Sequence, residues 1–431
     1  MANIKLISFE TFGCSANLNN TEIMKGLVKQ AGLEIVENPE IADIIVINSC
    51  IVKEPTEKEI ERRILELKKL GKKIIVAGCM PEVREKKLNK FGVFSLGTHH
   101  TKDILKLIRK ISEVSLNDKD KKEFLSQKNE EKLCSPKISQ AKKIGITQIL
   151  EGCLGSCNFC LTRFAKGKLF SYSQDKIIEN IKQDLKNGCK EIWLTSQDNA
   201  SYGLDRGKSE LIELLNKILN IDGEFRIRLG MMNPNNVLLI LNDLIEIYKN
   251  NKMYKYLHIP FQSASNKILK SMNRFYKIED FNKIISNFKS QIPEITIATD
   301  IIVAYPQETE EDFKETLNLI EKIKPDVLNV SRYWPMKDTP ASLLEQIPSK
   351  TSKERASIIM KLFLNQLKEK NSSLIGKQFN CLVYDSFKTN FLARTQNYKL
   401  VLIKSQKNIL GKFVKVKITS SEQNHLLGEI I

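Results

Sequence analysis

The 431-residue sequence lacks the features that mark membrane and secreted proteins. It has no run of about 18 apolar residues, so we expect no membrane span and no membrane partner. Its first residues, Met1-Ala-Asn-Ile-Lys-Leu-Ile-Ser, contain no charged segment followed by an apolar one. We therefore expect no secretory signal and a cytoplasmic location. The chain has nine cysteines, and that reducing compartment suits cysteines that serve as ligands.

The sequence also lacks internal repeats and low-complexity tracts. Its apolar content of 42% is ordinary for a globular protein. The length exceeds that of one hydrophobic core, so about two or three domains are expected.

Acidic residues are too few to balance the basic ones. There are 51 Asp and Glu against 68 Lys and Arg, which gives a net charge of +17. Such a surplus is typical of a protein with a polyanionic partner. A lysine-rich surface that only adds solubility would give the same balance, and charge alone does not separate the two interpretations.

The first 112 residues alternate apolar strands with polar helices, which predicts a parallel sheet covered by helices. Strands are predicted at 4–9, 41–47 and 73–77, and each is followed closely by a cysteine, namely Cys14, Cys50 and Cys79. The carboxyl ends of parallel strands form one edge, where ligands bind. One such cysteine could be ordinary packing, but three at one edge predict an iron–sulfur site with three protein ligands and one open iron.

A second group of cysteines lies within eight residues, as Cys153, Cys157 and Cys160. Thiolates are soft ligands that hold iron–sulfur clusters, and three of them leave one iron open for a small molecule. Zinc is the main alternative, but its usual signature of two separated Cys-x2-Cys pairs is absent. Paired disulfides are the weaker alternative.

Residues 113–143 are charged with little apolar periodicity and predict a linker. From 144 to 370, strands and helices alternate again, with strands expected at 144–150, 190–196, 225–231, 255–261, 295–303 and 327–333. Six such strands predict a partial β/α barrel, whose chemistry gathers at the carboxyl ends of its strands. Polar residues there could also be ordinary turn residues; they are Gln197, Asp198, Asn233, Gln262, Ser263 and Asp300.

Residues 371–431 read as five short strands without a helix, which predicts a small antiparallel barrel of oligonucleotide-binding type. Eight Lys and one Arg against one Asp and two Glu give this segment a charge of +6. Lysines beside aromatic residues favour single-stranded nucleic acid as the ligand; they are Lys399, Lys415 and Lys417, with Phe391 and Tyr398. Lysines that only prevent aggregation at a sheet edge are the alternative.

The spacing of Cys153, Cys157 and Cys160 resembles that of the radical S-adenosylmethionine (SAM) superfamily, and the order of the three parts resembles the methylthiotransferase family, which ends in a TRAM domain. The motifs that carry this resemblance are Thr11-Phe-Gly-Cys-Ser-Ala-Asn17, Asn48-Ser-Cys50, Ala77-Gly-Cys79, Leu194-Thr-Ser-Gln-Asp198, His258-Ile-Pro-Phe-Gln-Ser-Ala-Ser265, Ser271-Met-Asn-Arg-Phe-Tyr276, Thr299-Asp-Ile-Ile-Val-Ala-Tyr-Pro306 and Thr309-Glu-Glu-Asp-Phe313. Cys14-Ser-Ala-Asn17, Val52-Lys-Glu-Pro-Thr-Glu57 and Cys153-Leu-Gly-Ser-Cys-Asn-Phe-Cys-Leu-Thr-Arg163 are similar to the archaeal and eukaryotic branch.

The resemblance implies an α/β protein with a flavodoxin-like domain at 1–112, a partial (β/α)6 radical SAM barrel at 144–370 and a TRAM domain at 371–431. It implies two [4Fe-4S] clusters and SAM as cofactors. The cluster of Cys153, Cys157 and Cys160 would cleave SAM, and the cluster of Cys14, Cys50 and Cys79 would carry the sulfur.

The implied reaction is insertion of a methylthio group at C2 of N6-threonylcarbamoyladenosine beside the tRNA anticodon. The implied partners are tRNA, a reducing electron donor and a sulfur source, and we expect a monomer. Gln197, Asp198, Asn233, Gln262 and Ser263 are candidates for orienting SAM, and Asp300 and Arg274 for active-site contacts.

Two segments depart from the family pattern. Gln307 stands where the family usually has glycine, which bears on the local turn geometry, and Tyr333-Trp-Pro-Met-Lys-Asp-Thr-Pro340 is an unusual form of its segment. Three alternative functions stay open at this point. The same chemistry could act on isopentenyl-adenosine in tRNA or on a ribosomal-protein aspartate, or the chain could be an iron–sulfur RNA-binding protein without turnover.

Overall fold

The amino-terminal residues build a five-stranded parallel sheet in the order β2-β1-β3-β4-β5. This is the strand order of flavodoxin-like folds. The strands are β1 Leu6–Thr11, β2 Glu34–Ile35, β3 Ile44–Ser49, β4 Lys73–Gly78 and β5 Phe94–Gly97. The helices that accompany them are Ser15–Gln30, Glu54–Lys68, Cys79–Phe91 and Ile104–Glu113.

The computed structural model describes residues 4–52, 54–113 and 123–431. It divides into two compact units. The first unit holds the amino-terminal part of the chain to Gln140, with residues 150–154 and 160–177. The second unit holds residues 141–149, 155–159 and 178–431.

The centre of the first sheet is buried on both faces. All six residues of β3 are buried, and so are the last five of β4. Strands of this kind read as continuous apolar runs because helices cover both faces of a parallel sheet. The helix beginning at Glu54 shows the amphipathic pattern expected of it, because Ile60, Ile64 and Leu67 are all buried.

The segment expected to be a linker is packed where the structure describes it. Residues 114–122 lie outside the described residues. Beyond them, Phe124 belongs to the core of the first unit, and its carbonyl accepts a hydrogen bond from the Gly97 amide at 2.7 Å. Lys132 is 2% exposed. The high charge of this segment therefore does not mean that all of it is solvent-exposed, because Lys132 is buried beside the Glu151 carboxylate.

The second unit contains six parallel barrel strands, as the alternation of strands and helices predicted. They form two three-stranded sheets, β6-β9-β10 and β11-β12-β13, with a single bridge from Ile227 to Met253. The strands are β6 Ile144–Gln148, β9 Glu191–Thr195, β10 Arg226–Leu229, β11 Tyr256–His258, β12 Thr296–Val303 and β13 Val327–Arg332. The short strands β7 Leu150–Glu151 and β8 Phe170–Ser171 pair with each other in the first unit.

Helices follow the barrel strands in alternation, as a β/α barrel requires. After residue 160 the described helices are Thr162–Lys166, Gln174–Lys186, Leu211–Leu219, Pro234–Leu238, Leu241–Lys249, Asn266–Ser271, Ile278–Gln291, Glu310–Ile323 and Ser349–Ser372. Gln307, in the loop after β12, has a left-handed φ of 70°. Only glycine adopts this region without steric cost, which explains why glycine is usual at the position.

The last residues form a closed five-stranded barrel in the order β14-β15-β16-β18-β17. Its strands are β14 Gln378–Phe387, β15 Asn390–Arg394, β16 Leu400–Lys404, β17 Phe413–Ser421 and β18 Leu426–Ile430. All neighbours are antiparallel except β16 and β18, which are parallel. The expected small barrel is therefore present, with one parallel pair in place of a wholly antiparallel sheet.

This small barrel packs on strands of the larger barrel in the same unit. The Tyr398 ring lies 4.8 Å from that of Tyr254 and 4.6 Å from that of Tyr256, measured between centroids. Lys399 Nζ pairs with the Asp326 carboxylate at 2.9 Å. The expectation that Tyr398 and Lys399 contact nucleic acid is therefore wrong, because both side chains are used in packing within the unit.

For Lys415, Lys417 and Phe391, contact with nucleic acid stays a prediction. Lys415 and Lys417 are exposed and alternate along β17 with buried residues. Phe391 is partly buried against the core of the small barrel. Within the part of the chain that the structure describes, no helix is both long and apolar enough to cross a membrane.

Candidate functional site

The structure brings the three amino-terminal cysteines to one edge of the first sheet, as expected. Cys14 follows β1 and caps the helix Ser15–Gln30, Cys50 directly follows β3, and Cys79 directly follows β4. Cys14 is exposed, whereas Cys50 and Cys79 are buried. Parallel strands place their carboxyl ends together, so this arrangement follows from the strand order.

Two buried asparagines hold the three cysteine-bearing loops together. The Asn17 amide donates to the Ser49 carbonyl at 2.9 Å, and its oxygen faces Cys79 Sγ at 3.9 Å. The side-chain amide of Asn48 donates to the backbone carbonyl of Asn17 at 2.7 Å. Both asparagines are fully buried. Our sequence analysis missed their role, although each stands in a cysteine motif, three residues after Cys14 or two before Cys50.

Two glycines allow the loops to approach closely. A Cβ on Gly13 would lie 2.7 Å from the Cβ of Cys50 and 3.0 Å from its Sγ. A Cβ on Gly78 would lie 2.3 Å from the Asn48 side chain. Both glycines also have positive φ, which other residues adopt only at a cost.

Burial dominates the electrostatics of the thiols at this edge. It raises the pKa of Cys50 and raises the pKa of Cys79 to about 12. The ammonium of Lys166 opposes this effect at Cys79. A thiol must lose its proton to bind metal, so metal binding here releases protons and depends on pH.

The second group of cysteines lies in the loop after β6 and β7. Cys153 and Cys160 belong to the first unit and Cys157 to the second. In the first unit, the Cys153 amide donates to the Gly167 carbonyl at 3.4 Å. A Cβ on Gly152 would lie 1.9 Å from the Lys168 carbonyl oxygen, so only glycine fits beside Cys153.

In the second unit, Arg274 lies directly against Cys157. Its Nη1 is 3.3 Å from Cys157 Sγ, and its Nη2 donates to Asn233 Oδ1 at 2.5 Å. Burial lowers the pKa of Arg274, but Tyr276 and Cys157 outweigh burial and raise it. Arg274 was expected to make an active-site contact, and the structure shows its guanidinium fixed beside Cys157.

Asp198 lies at the other end of this chain of contacts. Its carboxylate accepts hydrogen bonds from the Asn233 amide at 2.9 Å, the Asn233 side chain at 3.0 Å, the Asn236 side chain at 2.6 Å and the Ala200 amide at 3.2 Å. Burial raises the pKa of Asp198. Because both carboxylate oxygens are engaged, Asp198 can position Asn233 and Arg274 better than it can contact a ligand.

The other residues expected to contact SAM differ in whether their side chains are free to bind a ligand. Ser263 is fully buried, so its side chain has no exposed surface for a ligand. Gln262 has a left-handed φ of 64°, and its amide donates to the Asp300 carbonyl at 2.9 Å. Within the described ranges, no hydrogen-bond partner is found for the buried Oε1 of Gln197. An unsatisfied buried oxygen is costly, so Gln197 is the residue of this set that most requires a ligand.

Asp300, His258 and Asn329 form a second group of polar side chains, one on each of three neighbouring strands. The Oδ2 of Asp300 lies 2.6 Å from His258 Nε2, and its Oδ1 accepts from the Asn329 side chain at 2.7 Å. His258 and Asn329 were not among our sequence candidates. Asn329 on β13 is the register partner of Asp300, whereas His258 on β11 lies opposite Ala298, two residues before Asp300; only the sheet register reveals these neighbours.

In the parts of the chain that are described, no three His, Cys, Asp or Glu side chains converge as ligands of one metal ion would. A four-iron cluster differs from a single ion because each of its thiolates binds a different iron. Its cysteines therefore surround the cluster instead of meeting at one point.

Comparison with known proteins identifies the class of this chain first. Residues 147–320 match the model of the radical SAM superfamily. Residues 6–95 match a model described as uncharacterized protein family UPF0004, and residues 373–431 match the TRAM domain. The barrel with its cysteine loop is thus a radical SAM domain.

Relatives that match the whole chain identify the family. A Pyrococcus horikoshii protein called "Probable threonylcarbamoyladenosine tRNA methylthiotransferase" is 41% identical over 431 residues, covering 99% of each chain. The Homo sapiens "Threonylcarbamoyladenosine tRNA methylthiotransferase" is 35% identical over 437 residues, covering 99% of this chain and 74% of its own. The chain belongs to the radical SAM methylthiotransferase family.

Solved structures confirm the fold at much lower identity. The radical SAM methyltransferase TsrM from Kitasatospora setae aligns with a TM-score of 0.56 at 12% identity, over 79% of this chain and 77% of that one. At this identity the likeness concerns the fold alone.

Proposed function

We propose that this chain is a tRNA methylthiotransferase that inserts a methylthio group at C2 of N6-threonylcarbamoyladenosine beside the anticodon. The observation that carries the proposal is the pair of cysteine triads in a chain similar over its whole length to enzymes named for this reaction. One triad is in the radical SAM motif, and the other lies on the edge of the first sheet.

The cofactors are two [4Fe-4S] clusters and SAM, and the residues present fit them. Soft thiolates suit iron–sulfur clusters, and the sheet edge supplies three of them with two buried. The unsatisfied buried oxygen of Gln197 offers an acceptor for a ligand in the barrel. When bound, the clusters supply an electron for SAM cleavage at one site and carry the transferred sulfur at the other.

The residues of the chain then have separate tasks. Cys153, Cys157 and Cys160 would hold the cluster that reacts with SAM, and Cys14, Cys50 and Cys79 the sulfur-carrying cluster. Gln197 and Gln262 would orient SAM. Asp198 and Asn233 would position Arg274 against Cys157, and Asp300 with His258 would line the substrate side of the barrel. Ser263 would shape the turn after Gln262.

The test is made in the organism that carries this chain. Mass spectrometry of tRNA nucleosides from cells that lack it should show threonylcarbamoyladenosine without its methylthio derivative, and the wild-type chain should restore the derivative. A loss of the methylthio mark on isopentenyl-adenosine, or on a ribosomal-protein aspartate, would replace this substrate by one of the alternatives. No change in any of these products would contradict the enzyme function.

We infer that tRNA phosphates bind the exposed lysines of the last barrel. Replacing Lys415 and Lys417 by Gln should weaken tRNA binding. The slope of the log binding constant against log salt concentration should become shallower by about 0.7–0.9 for each phosphate that is no longer neutralised. Lys361→Gln with Lys368→Gln is the matched control, since both lysines are exposed on the helix Ser349–Ser372. Removing residues 371–431 is a poor test, because Tyr398 and its neighbours pack on the barrel strands.

The remaining partners follow from the chemistry. A reducing electron donor must supply the cluster that cleaves SAM, and a sulfur source must renew the sulfur that leaves with each product. Thiolate ligands and a tRNA substrate fit the cytoplasm, where thiols stay reduced. The monomeric state stays a prediction, which light scattering of the reconstituted protein would check.

A further inference from the structure

The first unit contains a buried group of charges that the proposed reaction does not use. Lys166 Nζ donates to Glu151 Oε1 at 2.9 Å and to Thr98 Oγ1 at 2.5 Å. Lys132 Nζ lies 2.8 Å from Glu151 Oε2. The side chains of Lys132, Lys166 and Glu151 are 2%, 1% and 4% exposed. Burying three charges costs several kcal/mol each before pairing, so this group needs a physical reason.

The charges in this group do not cancel. Burial lowers the pKa of Lys132 to about 8, which still leaves it charged at neutral pH. Glu151 is the one carboxylate that both ammonium groups contact, at 2.9 Å from Lys166 and 2.8 Å from Lys132. Burial also lowers the pKa of His99 and raises that of Glu82 to about 8, so both neighbours favour their neutral forms. Two positive charges thus face one negative charge.

The surplus positive charge lies close to the helix that begins at Cys79. The short helix that ends at Lys166 packs against the helix that begins at Cys79. Glu151 and the Cys79 and Cys14 thiols are the groups that raise the pKa of Lys166 against the effect of burial. The geometry agrees, because Thr98, which accepts a hydrogen bond from Lys166, follows Gly97, and Gly97 lies directly against Glu82 in the first turn of the helix that begins at Cys79.

We propose that Lys132 and Lys166 are the buried counter-charge of the cluster held by Cys14, Cys50 and Cys79, and that Glu151 fixes both lysines while limiting their field. This inference rests on the proposed function, because it requires a cluster at that edge. A cluster bound by three thiolates is anionic and becomes more so on reduction. A nearby buried cation stabilises the reduced form more than the oxidised form, which raises the reduction potential.

The same residues could instead serve only to hold β7 in place within the first unit. Lys166→Met and Glu151→Gln distinguish the two roles. Both changes break the same ion pair, so a fastening role predicts the same kind of damage from each. A counter-charge role predicts opposite effects, because Lys166→Met removes a positive charge and Glu151→Gln removes a negative one.

The experiment uses the full chain with Cys153, Cys157 and Cys160 changed to Ala, so that one cluster gives the whole signal. The variants are compared by potentiometric titration with paramagnetic resonance detection, after anaerobic reconstitution with iron and sulfide. Lys166→Met and Lys132→Met should shift the midpoint potential to more negative values, and Glu151→Gln to more positive values. Lys166→Arg should stay near the parent, as should Lys168→Met, whose lysine is exposed two residues away.

Shifts in the same direction for Lys166→Met and Glu151→Gln, or no shift in either, would overturn the proposal. If Lys166→Met fails to retain iron, retention by Lys166→Arg supports it and loss in both variants contradicts it. The readout needs neither tRNA nor turnover. A wrong substrate assignment would therefore appear in the nucleoside analysis and leave these potentials unaffected.

Discussion

The two cysteine triads are built in opposite ways. Cys153, Cys157 and Cys160 lie in one loop of eight residues, whereas Cys14, Cys50 and Cys79 follow three different strands of a sheet. The local triad depends on a glycine turn at Gly152. The distributed triad depends on strand order and on loop-to-loop hydrogen bonds. The first can be identified by spacing, and the second exists only once the fold has formed.

Each triad also has its own fixed cation. Arg274 contacts Cys157 from the turn that follows the helix Asn266–Ser271, and Lys166 ends the short helix that packs against the helix beginning at Cys79. Positive charge beside thiolates stabilises a cluster in a low-dielectric site, since an anion there loses most of its hydration. The two sites thus reach a similar electrostatic solution from unrelated sequence segments.

The largest expected effect separates the tasks of the triads. Cys50→Ala and Cys157→Ala should each abolish the methylthio product, because each removes a cluster ligand. Only Cys50→Ala should still convert SAM to 5′-deoxyadenosine under reduction, measured by liquid chromatography. Continued cleavage by Cys157→Ala, with none by Cys50→Ala, would show that the roles are reversed.

Removing the loop-to-loop hydrogen bonds should damage the distributed triad selectively. Asn17→Ala should lower the free energy of unfolding by about 2–3 kcal/mol, since it leaves buried partners unsatisfied. Iron bound per chain should fall from about eight atoms towards four, as one of two four-iron clusters is lost. Iron analysis after reconstitution checks this.

The matched change near the local triad is Asn158→Ala, whose side chain donates one hydrogen bond to the Ser271 carbonyl at 2.8 Å. Its iron content should stay near that of the parent, because the spacing of the cysteines within one loop remains. Equal iron loss from both variants would contradict the distinction between local and distributed triads.

A pH-dependent effect is expected at the distributed triad. Burial raises the pKa of Glu82 from 4.5 to about 8, so the folded state favours the neutral form. Its contribution to stability is complete below pH 4.5 and is lost as the pH rises through 8. Glu82→Gln should therefore gain stability over the parent between these values, by about 1–3 kcal/mol. Thermal unfolding across this pH range measures it.

In the second unit, Asp198→Asn should have the opposite effect on stability from Glu82→Gln. Asp198 is also buried with a raised pKa, but its carboxylate accepts hydrogen bonds from four donors. An amide would place its own donor against one of them, so this change should destabilise the chain wherever the parent carboxylate is ionised. A gain in stability from Asp198→Asn would mean that its carboxylate is not needed as an acceptor.

The sequence was sufficient for the parts that repeat a local rule. The six barrel strands and the five strands of the last barrel were predicted from periodicity and are present. That the six cysteines of the two triads hold clusters stays a prediction. Side-chain partners across the sheet could not be predicted in this way. Asn48 meets Asn17, and His258 meets Asp300, only through strand register. Tyr398 and Lys399 were misjudged because composition cannot tell an exposed cation from one paired in an interface.

The smallest effect is expected at a position that should alter neither cluster. Gln307 has a left-handed φ of 70°, which costs a residue with a side chain about 1–2 kcal/mol. Gln307→Gly should relieve this cost, and because glycine has more freedom in the unfolded chain the net gain should be about 0.5 kcal/mol. Gln307→Ala is the control, since alanine keeps the steric conflict. Denaturant unfolding should show the gain for glycine alone, with the iron content of both variants equal to that of the parent. An equal gain for alanine would show that the backbone conformation is not its cause.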